Sequence, residues 1–355
     1  MAKEIVGLKI GASGLSAARV SVNGSSEVLQ VARESLPGGI VAGGEVREPE
    51  ALAGALKAFF GKHKLPRRAV RIGIATNRIG VRTIEITGID DPKLLANAVR
   101  FRAQEALPIP IDQAVLDFQV LGSGVTSEGV PMQRVLLVVA YRDLVDAYAR
   151  ACRAAGLRLA GIDLEAFALL RALASPPPTT EAAADRSVMV AVAIGSERST
   201  LAVSDGLTCE FTRVLDWGGA ALTMSIAKAL AIDPAEAEEL KTKLSLGGPP
   251  AEIAGLSAER VAQAREALSQ GLHGFARDLV SSLQFYQGQP DSLGIREVVL
   301  AGGTAQLEGL ADALQSLIGV SVRVGDPLTN VSVGKKVRDA ESPGLAIPIG
   351  LGMAV

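Results

Sequence analysis

Apolar positions along this chain recur first with a period of two and later with a period near 3.6. Ile5–Ile10 is an apolar run broken by Gly7, Gly11–Gly14 reads as a tight turn, and Leu15–Val22 is again extended. Asn23-Gly24 is a hairpin signal leading into Val28–Arg33. The same order returns near residue 189: apolar Met189–Ile194, a small polar turn at Gly195–Ser199, extended Thr200–Val203, the hairpin pair Asp205-Gly206, then Thr208–Val214. Such repetition predicts two related lobes. Helical spacing predicts helices at Pro49–Lys62, from Pro92 to about Leu107 with an Asp90-Asp91 cap, and at Asp143–Ala155, Glu165–Ala174, Gly219–Ala231, Pro234–Leu244, Ser257–Gln287 and Gln306–Ile318. Strands are predicted at Ala69–Thr76, Thr83–Thr87, Val115–Leu121, Gln133–Tyr141, Ala160–Ile162 and Val298–Leu300. Ser175–Asp185, with three consecutive prolines, has linker composition.

Length and composition narrow the field. At 355 residues the chain holds about two ordinary domains. It is 48% hydrophobic and 21% charged, which excludes disorder as a global description. Lys and Arg number 36 against 38 Asp and Glu, so no basic excess points to nucleic acid. Two cysteines, Cys152 and Cys209, make no disulfide framework and fit a reducing compartment. Two histidines, His63 and His273, leave little room for metal sites or histidine triads; His63 reads as a solvated helix end. The longest apolar runs, Val135–Tyr141 and Val188–Ile194, fall far short of the roughly 20 residues that span a bilayer. Met1-Ala-Lys-Glu runs straight into a strand with no leader pattern, so a cytosolic protein is expected.

Three small-residue turns could carry chemistry. Gly11–Ser13 and Gly195–Ser199 join strands of the repeated unit, and Gly302–Thr304 joins a strand to a helix. Glycine lets a backbone approach a phosphate or a flat ring, while N–H and hydroxyl groups supply donors. A plain tight turn is the alternative for each one singly.

In this order and topology the turns resemble those of the actin-like ATPase family, which includes actin, the sugar kinases, FtsA and MreB. The stretch Phe101-Arg-Ala-Gln-Glu105-Ala-Leu-Pro-Ile-Pro110-Ile-Asp112 followed by Asp117-Phe118-Gln119-Val120-Leu121 is similar to the PilM family of type IV pilus assembly proteins. So are Gly7-Leu-Lys-Ile-Gly-Ala-Ser13, Gly161-Ile-Asp163-Leu-Glu165-Ala-Phe167-Ala168, Ala237-Glu-Glu-Leu-Lys241, Leu300-Ala-Gly-Gly-Thr304 and Gly350-Leu-Gly352. The resemblance implies an α/β, two-lobed actin-like ATPase fold, each lobe a mixed five-stranded sheet with helices, plus small inserted subdomains. The first lobe would be 1–165 with an insertion at about 80–156. The second would be 166–355 with a helical part at about 220–290, and about 345–355 would return to the first.

It also implies a nucleotide cleft for ATP or ADP. Gly11, Ala12 and Ser13 would face the phosphates from one side, and Gly195, Ser196, Glu197, Arg198, Ser199 and Thr200 from the other. Gly302, Gly303 and Thr304 would hold the adenosine, reached by Glu238 and Lys241 from one helical face. An exposed ion pair is the bland alternative for those last two. Relatives carry acids that anchor Mg²⁺ two residues before each of the first two turns; here Lys9 and Ala193 stand there, which leaves either a nucleotide binder without Mg²⁺ or turnover, or a cleft that takes no nucleotide. No metal ligand is assigned. Lys9 could instead meet phosphate oxygens, and Glu165 is the candidate catalytic acid, with Asp163 behind it.

The family further implies a cytoplasmic adaptor held at the inner membrane by a partner, without inserting itself. That partner is the N-terminal cytosolic peptide of a PilN-like membrane protein, with pilus motor or platform proteins beyond it. Arg100, Phe101, Arg102 and Phe118 are the candidate contacts. A slow Mg²⁺-dependent ATPase and an FtsA- or MreB-like polymerising protein remain the alternatives.

Overall fold

The computed structural model describes residues 3–89, 91–106, 110–174, 187–206, 208–248, 253–290, 292–335, 337 and 343–353. The expected linker at Ser175–Asp185 and the Asp90 cap lie outside these residues, as does Leu107.

The chain opens with antiparallel strands β1 (Lys3–Ile10), β2 (Gly14–Asn23) and β3 (Ser25–Ser35). A short ribbon follows, β4 (Val41–Ala42) against β5 (Glu45–Val46), then helix α1 (Pro49–Lys62). Strand β6 (Val70–Ile74) pairs parallel with β1. β7 (Ile79–Thr87), helix α2 (Pro92–Ala106), β8 (Ala114–Val125) and β9 (Pro131–Tyr141) build a separate three-stranded sheet in the order β7-β9-β8. Leu95, Val99 and Ala103, one helical face of α2, close its core against Ile86, Val135, Leu137 and Val139. Helix α3 (Arg142–Ala154) returns the chain to β10 (Leu159–Leu164), which pairs parallel with β6, and helix α4 (Glu165–Leu173) leaves the sheet.

The second half repeats the plan. β11 (Ser187–Ile194), β12 (Ser199–Ser204) and β13 (Cys209–Leu215) form an antiparallel meander. Helices α5 (Gly219–Leu230), α6 (Pro234–Lys241) and the 30-residue α7 (Ala258–Gln287) come next. β14 (Gly294–Ala301) then pairs parallel with β11, and after α8 (Leu310–Ile318), β15 (Val322–Val324) pairs parallel with β14. The sheet orders are β10-β6-β1-β2-β3 and β15-β14-β11-β12-β13, the same pattern twice. The first sheet carries one strand more than the expected five, the two-residue β16 (Ser332–Val333) beside β3. Even the turn hydrogen bonds correspond: Gly11 N donates to Gly14 O and Gly195 N to Arg198 O, both at 2.9 Å.

Helix α9 (Ala346–Met353) lies in the first core against β1, β2 and α4. Its backbone comes so close that a Cβ on Gly7 would overlap Pro348 O, and one on Gly350 would overlap Ala168 O. The helix predicted over Gln306–Ile318 starts four residues late, at Leu310. Residues 303–306 form a single 3₁₀ turn, and Gly309, at φ +78°, starts α8 afresh. His63 is no solvated helix end: its Nε2 lies 2.8 Å from Glu34 Oε1 and its ring packs on Phe59. Trp217 stacks on Phe275 at 4.3 Å between centroids and is a core residue. The two cysteines are buried thiols.

Candidate functional site

Because the two sheets repeat one topology, the turns after β1 and β11 approach each other from opposite sides of a cavity of about 950 Å³. The Gly302–Thr304 turn after β14 closes a third side, and α5 and α6 a fourth. Lys9, Gly11, Ala12, Ser13, Glu165, Gly195, Ser196, Glu197, Arg198, Thr200, Glu238, Lys241, Gly302, Gly303 and Thr304 all line it. Ser199 does not. Fully buried, its hydroxyl donates to Trp217 O at 2.7 Å, because alternation along β12 turns it away from the cleft.

Four carboxylates reach the wall, and each is engaged. Glu34 takes Lys62 Nζ at 2.6 Å as well as His63. Glu165, 7% exposed at the first turn of α4, lies 3.8 Å from Lys9 Nζ. Burial raises the Glu165 pKa, and the Lys9 ammonium pulls it back in part. Glu197 Oε2 accepts Gly43 N at 2.9 Å across the cavity mouth. Glu238 accepts from Lys241 Nζ at 2.6 Å and from the Thr223 hydroxyl.

Lys241 is thus not half of an exposed pair. It is 7% exposed and donates also to Thr223 Oγ1 at 2.8 Å and Gly219 O at 3.1 Å, so it fastens α6 to the start of α5. Glu238 reaches outward beside it. Asp163 is held by the Arg171 guanidinium and by Leu164 N.

Two features of the cleft have no partner within the protein. Arg198 Nη2 pairs with Asp216 Oδ1 at 2.8 Å, but its Nη1 is buried without a hydrogen-bond partner, alone in that among the described residues. Gly303 has an ordinary φ, and no atom lies within 4 Å of where its Cβ would stand. Neither backbone strain nor packing demands glycine there; an incoming flat group would. Both observations fit a phosphorylated nucleoside, the anion at Arg198 and the ring at Gly303. Gly303→Val is therefore expected to cut nucleotide affinity by about tenfold or more while the melting temperature holds, as a titration with fluorescent ADP would read. Unchanged affinity would remove the ring from this wall.

The partner candidates do not share a surface. Phe101 is 62% exposed on the outer side of α2, with Arg100 and Arg102 exposed beside it. Phe118 instead packs against the core between β8 and α2. A groove that the sequence reading missed lies on the other face of that sheet. Gln119, Leu121 and Leu136 form one wall, Phe167, Leu170, Arg171 and Ala174 of α4 and its end a second, and Ser204, Gly206, Thr208 and Cys209 a third, around about 440 Å³. β8 is the edge strand beside it. The only hint in the sequence was the sparse charge of 114–125, where Asp117 is the sole ionisable residue. Cys209, its thiol pushed up to about 12 by burial, is an inert part of that lining.

Comparison with known proteins matches this geometry. The family model described as "Type IV pilus assembly protein PilM" matches residues 7–355. The cell division protein FtsA of Escherichia coli (strain K12) is 29% identical over 280 residues, 71% of this chain and 64% of that protein, so the chain spans under two thirds of this relative. Among solved structures, a PilM-PilN type IV pilus biogenesis complex superposes with a TM-score of 0.80 at 28% identity, covering 99% of both chains. The ethanolamine utilization protein EutJ of Carboxydothermus hydrogenoformans follows at 0.60 and 16%, covering 99% of this chain and 89% of that one. MreB5 of Spiroplasma citri bound to AMPPNP gives 0.55 and 14%, covering 98% and 94%. The last two bear on fold alone, and with the first they establish the two-lobed actin-like architecture expected from the three turns.

Proposed function

Since the chain belongs to the PilM family of type IV pilus assembly proteins, we propose that it is an adaptor of the pilus assembly platform, with one site for ATP or ADP and one for a membrane-anchored partner. The observation that carries this reading is the likeness, over nearly all of both chains, to a PilM held in complex with PilN. No helix among the described residues is long and apolar enough to cross a membrane.

The N-terminal cytosolic segment of a PilN-like protein would lie extended in the groove under the three-stranded sheet, its backbone along the β8 edge and its apolar side chains against Leu121, Phe167 and Leu170. That placement moves the contact from Arg100, Phe101, Arg102 and Phe118 to the opposite face of the same sheet. Nucleotide would act as a structural ligand that sets the angle of the two lobes, with little or no turnover.

The test is a titration of the chain with a synthetic peptide copying the N-terminal cytosolic segment of a PilN-like protein. Leu121→Arg and Phe167→Asp are each expected to weaken binding by about tenfold or more, a typical cost for an interface anchor, and Phe101→Ser to leave it unchanged. The reverse pattern would return the site to α2. No binding by wild type would sink the adaptor reading.

A further inference from the structure

We propose that the cleft takes a nucleoside di- or triphosphate without a divalent cation, Lys9 and Arg198 supplying from the two halves the positive charge that a metal ion brings to the phosphates elsewhere. The inference rests on the nucleotide reading above and specifies how that site works.

Mg²⁺ does not fit the residues present. It asks for oxygen ligands in near-octahedral array, usually one or two carboxylates with water and phosphate. At the place where β1 meets the cavity stands Lys9, an ammonium, and at the equivalent place on β11 stands Ala193, a methyl group. The four carboxylates on the wall are engaged with Lys62 and His63, with Lys9, with Gly43 N and with Lys241. Among the described residues no three His, Cys, Asp or Glu side chains stand close enough to hold a metal.

Charge of the other sign is on hand. Lys9, near the end of β1, and Arg198, in the turn after β11, reach the same cavity from the two repeated sheets. Lys9 keeps a loose hold on Glu165: 3.8 Å is a long ion pair, and an ammonium so placed can turn to a phosphate oxygen without breaking a short hydrogen bond. Arg198 keeps one terminal nitrogen on Asp216 and has the other buried and unmatched. A guanidinium fixed on one side, with a donor still unmatched on the other, needs only a local shift of its neighbours to meet a phosphate. When Lys9 turns to phosphate, Glu165 loses its cation, and burial then favours its protonated form. Tyr148 lies in the same neighbourhood and stays neutral.

Calorimetric titration of ATP and of ADP into the full chain, once in excess EDTA and once in excess Mg²⁺, tests the proposal. Equal affinity in both buffers is the expected result. Lys9→Arg should keep metal independence, because it keeps the charge. Arg198→Gln should lose about tenfold or more in EDTA, the scale of a charge-assisted contact. Lys9→Asp with Ala193→Asp should bind only with Mg²⁺, and should melt higher when Mg²⁺ and nucleotide are both present. Wild-type binding that needs Mg²⁺ would overturn the proposal and leave the cleft reading standing. Failure to bind either nucleotide in either buffer would overturn both. Should Arg198→Gln and a folded Lys9→Met bind as wild type does in EDTA, the charge comes from elsewhere and the proposal falls.

Discussion

Gly350→Val is expected to leave little folded protein. Its Cβ would overlap the carbonyl oxygen of Ala168 in α4, a backbone atom that no rotamer change can move aside. The same helix is pinned from the other side, where a Cβ on Gly7 would meet Pro348 O. Between these contacts α9 buries Ile347, Ile349 and Leu351, all at 3% exposure or less, side chains worth about 1.5–3 kcal/mol each. Arg171 Nε also donates to Gly350 O at 2.9 Å. Displacing the helix would forfeit an amount comparable to the whole net stability of about 5–15 kcal/mol. Soluble yield and thermal melting would show it. Gly54→Ala, on the exposed side of α1 with open space around it, is the contrast and should stabilise by about 1 kcal/mol or less. A Gly350→Val protein melting within a few degrees of wild type would mean that α9 is not wedged as described.

Lys9→Met carries the next largest effect. It leaves Glu165 buried with no cation, at a cost of about 1–3 kcal/mol, the scale of a buried group left unmatched, and most of that should return in Lys9→Met with Glu165→Gln. The pH dependence has a definite sign. Burial places the folded pKa of Glu165 above its unfolded value, so the native state holds the proton longer. Stability from this group is present below the unfolded pKa and is lost as pH rises through the folded one. Lys9 lowers the folded value, so removing it widens the window upward. Melting curves between about pH 4 and pH 8 should fall more steeply for Lys9→Met than for wild type, and the double variant should be flat by comparison. A Lys9→Met protein with the wild-type slope would contradict the pairing.

What could be read in advance follows the range of the forces involved. The two meanders were legible because strand alternation and turn glycines are local, and their repetition doubled the signal. The three turns lay where their order suggested because the repeated topology forces the ends of β1 and β11 into one cavity. Pairings between distant segments were not legible. Lys9 and Glu165 stand on β1 and α4, and only the parallel run of β1, β6 and β10 brings them together. Only the family resemblance placed 345–355 in the first lobe; periodicity did not show α9 because Gly350, Gly352 and Pro348 are poor helix formers, and tertiary packing makes it helical, its glycines serving close approach. The groove under the small sheet was hidden too, since its walls come from four stretches spread over some 90 positions, from Gln119 to Cys209.

The bonds across the cavity mouth set a different scale. On the far side the halves share an apolar core through α4, which packs against β11 and β12. At the mouth they meet through Glu197 on Gly43 N, and through Asp216, which takes both Arg198 and Asn77 Nδ2, the latter at 2.8 Å. Exposed polar contacts of this kind are worth about 0–1 kcal/mol apiece. The molecule is therefore stiff at its spine and cheap to part at its lips. A gap of one or two kcal/mol would keep the parted form at roughly 3–15 per cent, exchanging in microseconds to milliseconds. How long a ligand stays is then governed by its own grip on the walls, and the door adds almost nothing to the wait.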